Sequence, residues 1–168
     1  MEILRDYQRE MLGRINEAWG SVRSVMVQMP TGTGKTYLMA EIIKSLECKV
    51  YSLEIQSTRQ PVLIVAHRRE LIEQIKDTLD RRTGFSDRRT EGQVFSDRRT
   101  EGQNVVTVTS IQKLSRAKEN DPLFNRQYSL IIVDEAHHAL AKTYRLLWER
   151  WPEAKFFEPS ARRIRVSR

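Results

Sequence analysis

Apolar residues at Tyr7, Met11, Leu12, Ile15 and Trp19 recur every three or four positions, so residues 5–19 are predicted to form an amphipathic helix. Gly20 closes it, and Ser24–Gln28 then predicts a strand. A Gly/Thr loop at residues 31–34 leads into a second helix over 35–46, with Leu38, Met39, Ile42, Ile43 and Leu46 on its buried side. Residues 47–61 carry no clear period and end at Pro61, which predicts an irregular connection.

From residue 62 the alternation repeats. Strands are predicted at 62–66, 105–108 and 130–133, each followed by a helix, at 70–79, 111–117 and 140–148. The segments at 62–66 and 130–133 are apolar throughout rather than every second residue, as in strands covered on both faces. Strands of this kind alternating with helices predict an α/β fold, a mostly parallel sheet between two helix layers with right-handed crossovers. Such sheets bind ligands at the carboxyl ends of their strands, where the chemically suggestive loops of this chain fall. At 168 residues the chain is near the usual size of one domain, so one core is expected.

Composition changes this picture little. Apolar residues make up 39% and charged residues 30%, ordinary values for a globular protein. The longest apolar runs are far too short to cross a bilayer, and the polar start at Glu2 argues against a secretory signal, so no membrane partner is expected. Cys48 is the only cysteine, which excludes an internal disulfide or a cysteine-built zinc site and fits a reducing, cytoplasmic setting. The net charge of +7 invites a polyanionic partner, but Arg162, Arg163, Arg165 and Arg168 in the last seven residues account for more than half of it. Charge alone therefore supports nucleic-acid binding weakly. Residues 85–93 read FSDRRTEGQ and residues 95–103 repeat them letter for letter. Arg88, Arg89, Arg98 and Arg99 are candidate phosphate contacts, yet each copy balances its arginines against Asp and Glu, which favours a solvent loop or hairpin.

Two segments carry chemistry. Residues 29–36, MPTGTGKT, follow a predicted strand and open a helix. Gly32 and Gly34 let the backbone curl around an anion, and the helix N-terminus adds partial positive charge. Thr31, Gly32, Thr33 and Gly34 would line the cradle, Lys35 would reach the β- and γ-phosphates, and the Thr36 hydroxyl would ligate Mg²⁺. Met29 stands where the general phosphate-loop pattern has its first glycine. Residues 130–138, LIIVDEAHH, place Asp134 and Glu135 where a buried strand ends. Asp134 suits water-mediated Mg²⁺ binding, Glu135 suits positioning or deprotonating an attacking water, and His137 suits coupling nucleotide state to the rest of a motor. By itself Asp-Glu after a strand is as often a helix N-cap; the phosphate loop in the same chain tips the balance. A zinc site is not expected, since no third ligand cluster accompanies the histidines.

These residues resemble the superfamily 2 helicases and their DEAH-box members: MPTGTGKT is similar to motif I, and Asp134-Glu-Ala-His137 to motif II. The likeness is strongest to the group holding the restriction subunit of type III restriction enzymes and the XPB-like repair helicases. It implies a three-layer RecA-like P-loop domain that binds ATP and Mg²⁺. In that group a segment like Leu4-Arg-Asp-Tyr-Gln8 supplies a glutamine that reads adenine, which assigns Gln8 to the base with Arg5 and Tyr7 as helpers. VLIVAHRRELIEQ at 62–74 is similar to motif Ia and VTVTSIQKL at 106–114 to motif Ib, which implicates His67, Arg68, Arg69, Thr109, Ser110 and Gln112 in gripping a DNA or RNA backbone, DNA being favoured.

The resemblance covers about residues 2–151. After Trp151, motif III keeps only its first two positions, as Ser160-Ala161, and arginines follow. We assign residues 1–158 to the ATP-binding lobe and 159–168 to a basic, irregular tail. The second RecA-like lobe of the family, with its arginine fingers, has no counterpart in these 168 residues. Such a finger is worth roughly 10³–10⁵ in rate, so the isolated chain is expected to turn ATP over slowly. The expected function is the N-terminal lobe of an ATP-dependent helicase or translocase. The alternatives are a non-catalytic nucleotide- or nucleic-acid-binding module and, less favoured, a small P-loop kinase, which would leave the DEAH tetrad without a role.

Overall fold

The computed structural model describes residues 4–30, 32–51, 61–67, 72–75, 77, 78, 81, 94, 95, 106–134 and 141–160, with the side chains of 46–51, 94, 95 and 141 excepted. In chain order the elements are α1 (Asp6–Ala18), β1 (Ser24–Gln28), α2 (Lys35–Tyr51), β2 (Val62–Ala66), β3 (Val94–Phe95), β4 (Val106–Ser110), α3 (Ile111–Arg116), β5 (Leu130–Val133), α4 (Ala141–Arg150) and β6 (Lys155–Ser160). Residues 72–75 are helical as well. The strands form one sheet in the order β1-β6-β5-β2-β4-β3, parallel except for β3 at the edge.

Alternation along each strand divides the core into two halves. Ile64, Val108, Ile132 and Phe157 pack with Ile15, Leu38, Ile42 and Ile72, so α1, α2 and the helical segment at 72–75 cover one face. Val65, Ile131, Val133 and Phe156 pack with Ile111, Leu114, Leu147 and Trp151, so α3 and α4 cover the other. This is the expected three-layer α/β arrangement. Both faces are covered, which is why β2 and β5 are buried along their whole length. Among the described residues no helix is long and apolar enough to cross a membrane.

The elements depart from the sequence reading in three places. The second helix runs on to Tyr51, because neither glycine nor proline interrupts the chain between Lys35 and Tyr51. Val94 and Phe95, where the two copies of the repeat meet, pair antiparallel with Val106 and Thr107; the rest of the repeat, with its four arginines, lies outside the described residues. The largest departure is β6. Its sequence, KFFEPS, contains Glu158 and Pro159 and does not read as a strand, yet it lies between β1 and β5. Pro159 is tolerated because the register with β5 ends at Phe157, so its missing N–H falls beyond that ladder.

Glu158 is the unusual member of β6. It lies beside Met26 of β1, on the face that carries Phe156, and is only 5% exposed. Burial raises its carboxyl to about 7, against a smaller lowering by its hydrogen bond with Ser24. Below pH ~4.5 both folded and unfolded chains hold this proton. Between there and about 7 only the folded chain does, so stability falls as pH rises through that window. Glu158→Gln is therefore expected to be more stable than the wild type at pH 8, on the order of 2 kcal/mol, with the advantage gone near pH 4. Urea midpoints at both pH values check this; a pH-independent difference would contradict it.

Candidate nucleotide site

The phosphate-loop segment joins β1 to α2. Met29, which replaces the first glycine of the general pattern, is 1% exposed, and its N–H donates to the Ser160 carbonyl at 2.8 Å. That position extends the β1–β6 ladder into the core and needs no glycine. Gly32 and Gly34 have φ of +78° and +82°, a region L side chains rarely adopt. The Thr33 hydroxyl donates to the Pro30 carbonyl at 2.6 Å and tightens the turn. Lys35 and Thr36 open α2 and are half-buried, while Leu38 closes the first helical bond by donating to the Gly34 carbonyl at 2.9 Å. Thr31 lies outside the described residues.

The first turn of α1 seals one side of this loop. The Tyr7 hydroxyl donates to the Thr33 carbonyl at 2.7 Å, and Gln8 Nε2 donates to the same oxygen at 3.3 Å. Gln8 Oε1 accepts from the Arg5 N–H at 3.1 Å, so both ends of this buried amide engage the protein. A Cβ at Gly34 would stand 2.7 Å from Gln8 Nε2; close approach, as well as positive φ, demands glycine there. Tyr7 belongs to the apolar stripe read from the sequence, but its ring is 39% exposed. Its hydroxyl does the bonding. At the other end of α1, Trp19 Nε1 donates to the Phe156 carbonyl at 3.3 Å and fixes the helix to β6.

Asp134 lies on the same edge of the sheet. Its N–H donates to the Val65 carbonyl at 2.9 Å, continuing the β5–β2 ladder one step past Val133. Leu130 pairs with Lys155 and Ile132 with Phe157; two residues further that register sets Asp134 level with Pro159, the partner of Val27. Asp134 is thus separated from the end of β1 by one intervening strand, about 10 Å at the usual strand spacing. Strand alternation sends it to the face of Ile132, the one that carries α2. It is 5% exposed. Glu135 and His137 lie outside the described residues.

The nucleic-acid candidates gather at the carboxyl ends of β2 and β4, where Ala66 pairs with Ser110. Gln112 Nε2 donates to the His67 carbonyl at 3.3 Å and ties the two loops together. The Ser110 hydroxyl caps α3 by accepting from the Lys113 N–H at 3.1 Å. Thr109 is 2% exposed, and its hydroxyl has no hydrogen-bond partner among the described residues. His67 is half-buried, whereas Arg68 and Arg69 lie outside the described residues. Among the described residues no group of three or more His, Cys, Asp or Glu could hold a metal. The donors to hand, a threonine hydroxyl and one carboxylate, fit Mg²⁺, which takes few protein oxygens and keeps much of its water.

A glycine-shaped loop and an acidic strand end, side by side, invite comparison with known proteins. Residues 2–164 match the family described as type III restriction enzyme, res subunit. The chain belongs to this family. It is 31% identical over 150 residues to the putative ATP-dependent helicase IRC3 of Saccharomyces cerevisiae, a match covering 89% of this chain and 21% of that protein. It is 26% identical over 144 residues to the DNA 3'-5' translocase XPB2 of Sulfurisphaera tokodaii, covering 86% of this chain and 27% of the relative. Among solved structures, a nuclease-deletion mutant of the type ISP restriction-modification enzyme LlaGI, in complex with a DNA substrate mimic, superposes with a TM-score of 0.69 at 17% identity; the match covers 98% of this chain and 18% of that one. The fold is thus the N-terminal RecA-like lobe of a superfamily 2 helicase, of the restriction-subunit and XPB-like group. This res-family chain spans between 21% and 27% of the length of the curated relatives it matches.

Proposed function

We propose that this lobe binds ATP·Mg²⁺ through its phosphate loop and DEAH box and drives a nucleic-acid-dependent helicase or translocase, with DNA the favoured track. The observation that supports this most is the common edge: the positive-φ loop of Gly32 and Gly34 and the buried Asp134 lie at the carboxyl end of the sheet with only β6 between their strands. Lys35 draws the β- and γ-phosphates, and Thr36 with Asp134 holds the metal. Bound Mg²⁺ neutralises the negative charge that builds on the transferring phosphoryl group. Glu135 orients the attacking water and accepts its proton, and His137 passes the nucleotide state to the neighbouring lobe. Arg5 and Gln8 lie on the base side. The loops after β2 and β4, with His67, Arg68, Arg69, Thr109, Ser110 and Gln112, grip one strand through its backbone. A second lobe elsewhere in the polypeptide supplies the arginine finger, and a cytoplasmic setting suits the whole.

Two relatives bear directly on the track: one is named a DNA translocase, another was solved with a DNA substrate mimic. In the full-length protein, single-stranded DNA is expected to stimulate ATP hydrolysis. Glu135→Gln is expected to stop turnover while ATP still binds. Affinity for the strand should drop about tenfold or more between 50 and 200 mM salt as phosphate contacts release counterions. Hydrolysis indifferent to both DNA and RNA would sink the motor reading, and a flat salt response would sink the backbone grip.

A further inference from the structure

The Thr33–Gly34 peptide is where α1 touches the phosphate loop. Two donors from the first turn of α1 converge on one oxygen: Tyr7 Oη at 2.7 Å and Gln8 Nε2 at 3.3 Å both reach the Thr33 carbonyl. Both lone-pair directions of that carbonyl are therefore used. The chain contains no cis peptide bond among the described residues. Across a planar trans peptide the C=O and the N–H point in opposite directions. Holding the Thr33 carbonyl against α1 thus turns the Gly34 N–H away from α1. Gly34 immediately precedes Lys35, the first residue of α2, so this N–H joins the unpaired donors of the helix N-terminus.

Left alone, such a peptide would flip readily, since glycine accepts both signs of φ at little cost. A flipped peptide would present a carbonyl, not an N–H, to an anion. The packing on α1 resists that flip. Gln8 is 4% exposed and is itself held by the Arg5 N–H at 3.1 Å, and its amide lies so close that a Cβ on Gly34 would collide with it. Tyr7 contributes the shorter of the two bonds, and its exposed ring contributes little packing.

We propose that Tyr7, bonded beside Gln8 to the same carbonyl, is a positioning residue that locks the Thr33–Gly34 peptide with its N–H towards the phosphates, so that Tyr7 acts on the triphosphate rather than on the base. This rests on the ATP·Mg²⁺ reading of the loop. The test is titration of ATP, GTP and inorganic tripolyphosphate, each with Mg²⁺, into the wild type and Tyr7→Phe. It is paired with the amide resonance of Gly34 recorded without any ligand. Tyr7→Phe is expected to weaken all three ligands by a common factor, about three- to tenfold, with the unfolding midpoint unchanged and the Gly34 resonance displaced. A loss confined to ATP would overturn the proposal by making Tyr7 a base contact. Unchanged affinities with an unmoved Gly34 resonance would overturn it as well. Failure of the wild type to bind any of the three would sink the nucleotide reading, and the ligand-free Gly34 signal would still support or overturn the lock.

Discussion

Under the proposed function, Lys35→Ala is expected to weaken ATP·Mg²⁺ binding by roughly ten- to a hundredfold and to reduce any turnover below detection. The side chain starts at the first residue of α2, directly after the positive-φ Gly34, where the proposed site requires its ammonium against the phosphates. A hydrogen bond from a charged donor to phosphate contributes about 1.5–3 kcal/mol, which corresponds to that range of affinity. Lys35 is half-buried and outside the apolar core, so the fold should not register the change: the unfolding midpoint should stay within the ~0.5 kcal/mol usual for substitutions away from the core. Calorimetric titration with ATP·Mg²⁺ measures the first quantity and a thermal melt the second. Equal affinity in the variant would remove the phosphate-loop assignment, whereas a collapsed melt would show that Lys35 is needed for folding.

Trp151→Ala is the substitution expected to cost most in stability, about 3–5 kcal/mol. Against the 5–15 kcal/mol that holds a typical domain together, this leaves little. Trp151 is 1% exposed and closes α4, its N–H donating to the Leu147 carbonyl at 3.1 Å. Its indole Nε1 donates to the Arg126 carbonyl at 2.8 Å, and its ring packs edge-on to Tyr128 at 5.1 Å and beside Phe124 at 5.9 Å. One side chain thereby ties the segment before β5 to the helix after it, and alanine would leave both a cavity and a carbonyl without its donor. Urea denaturation checks the size of the loss. A cost under about 1 kcal/mol would mean that this half of the core is far looser than its contacts imply.

These two residues differ in how far the sequence revealed them. Lys35 is legible as a candidate because the features that mark it are neighbours in the chain: a loop of glycines, a strand before and a helix after. The same holds for β2 and β5, whose unbroken apolar runs announce strands covered on both faces. Trp151 was not visible as a core anchor, because its partners Phe124, Arg126 and Tyr128 lie more than twenty positions earlier. Strand β6 was missed for a related reason. Glu158 and Pro159 are poor strand formers, and only β1 and β5 on either side hold that segment extended. Gln8 shows a third case: the residue was singled out from the sequence, and its bond with the Arg5 N–H is a local helix cap, but its bond to Thr33 depends on α1 folding back over the loop.

The sequence by itself determined the alternation of strands and helices apart from β3 and β6, the covered parallel sheet and the two short segments proposed to carry phosphate and metal chemistry, since each is encoded by residues within a few positions of one another. Tertiary structure alone decided that β6 lies between β1 and β5, that Asp134 shares an edge with the phosphate loop, and that two donors from α1 meet on the Thr33 carbonyl. Those juxtapositions join residues 25 to more than 130 positions apart. Such contacts are selected by packing and hydrogen bonding across the whole core, and a local pattern carries no record of them.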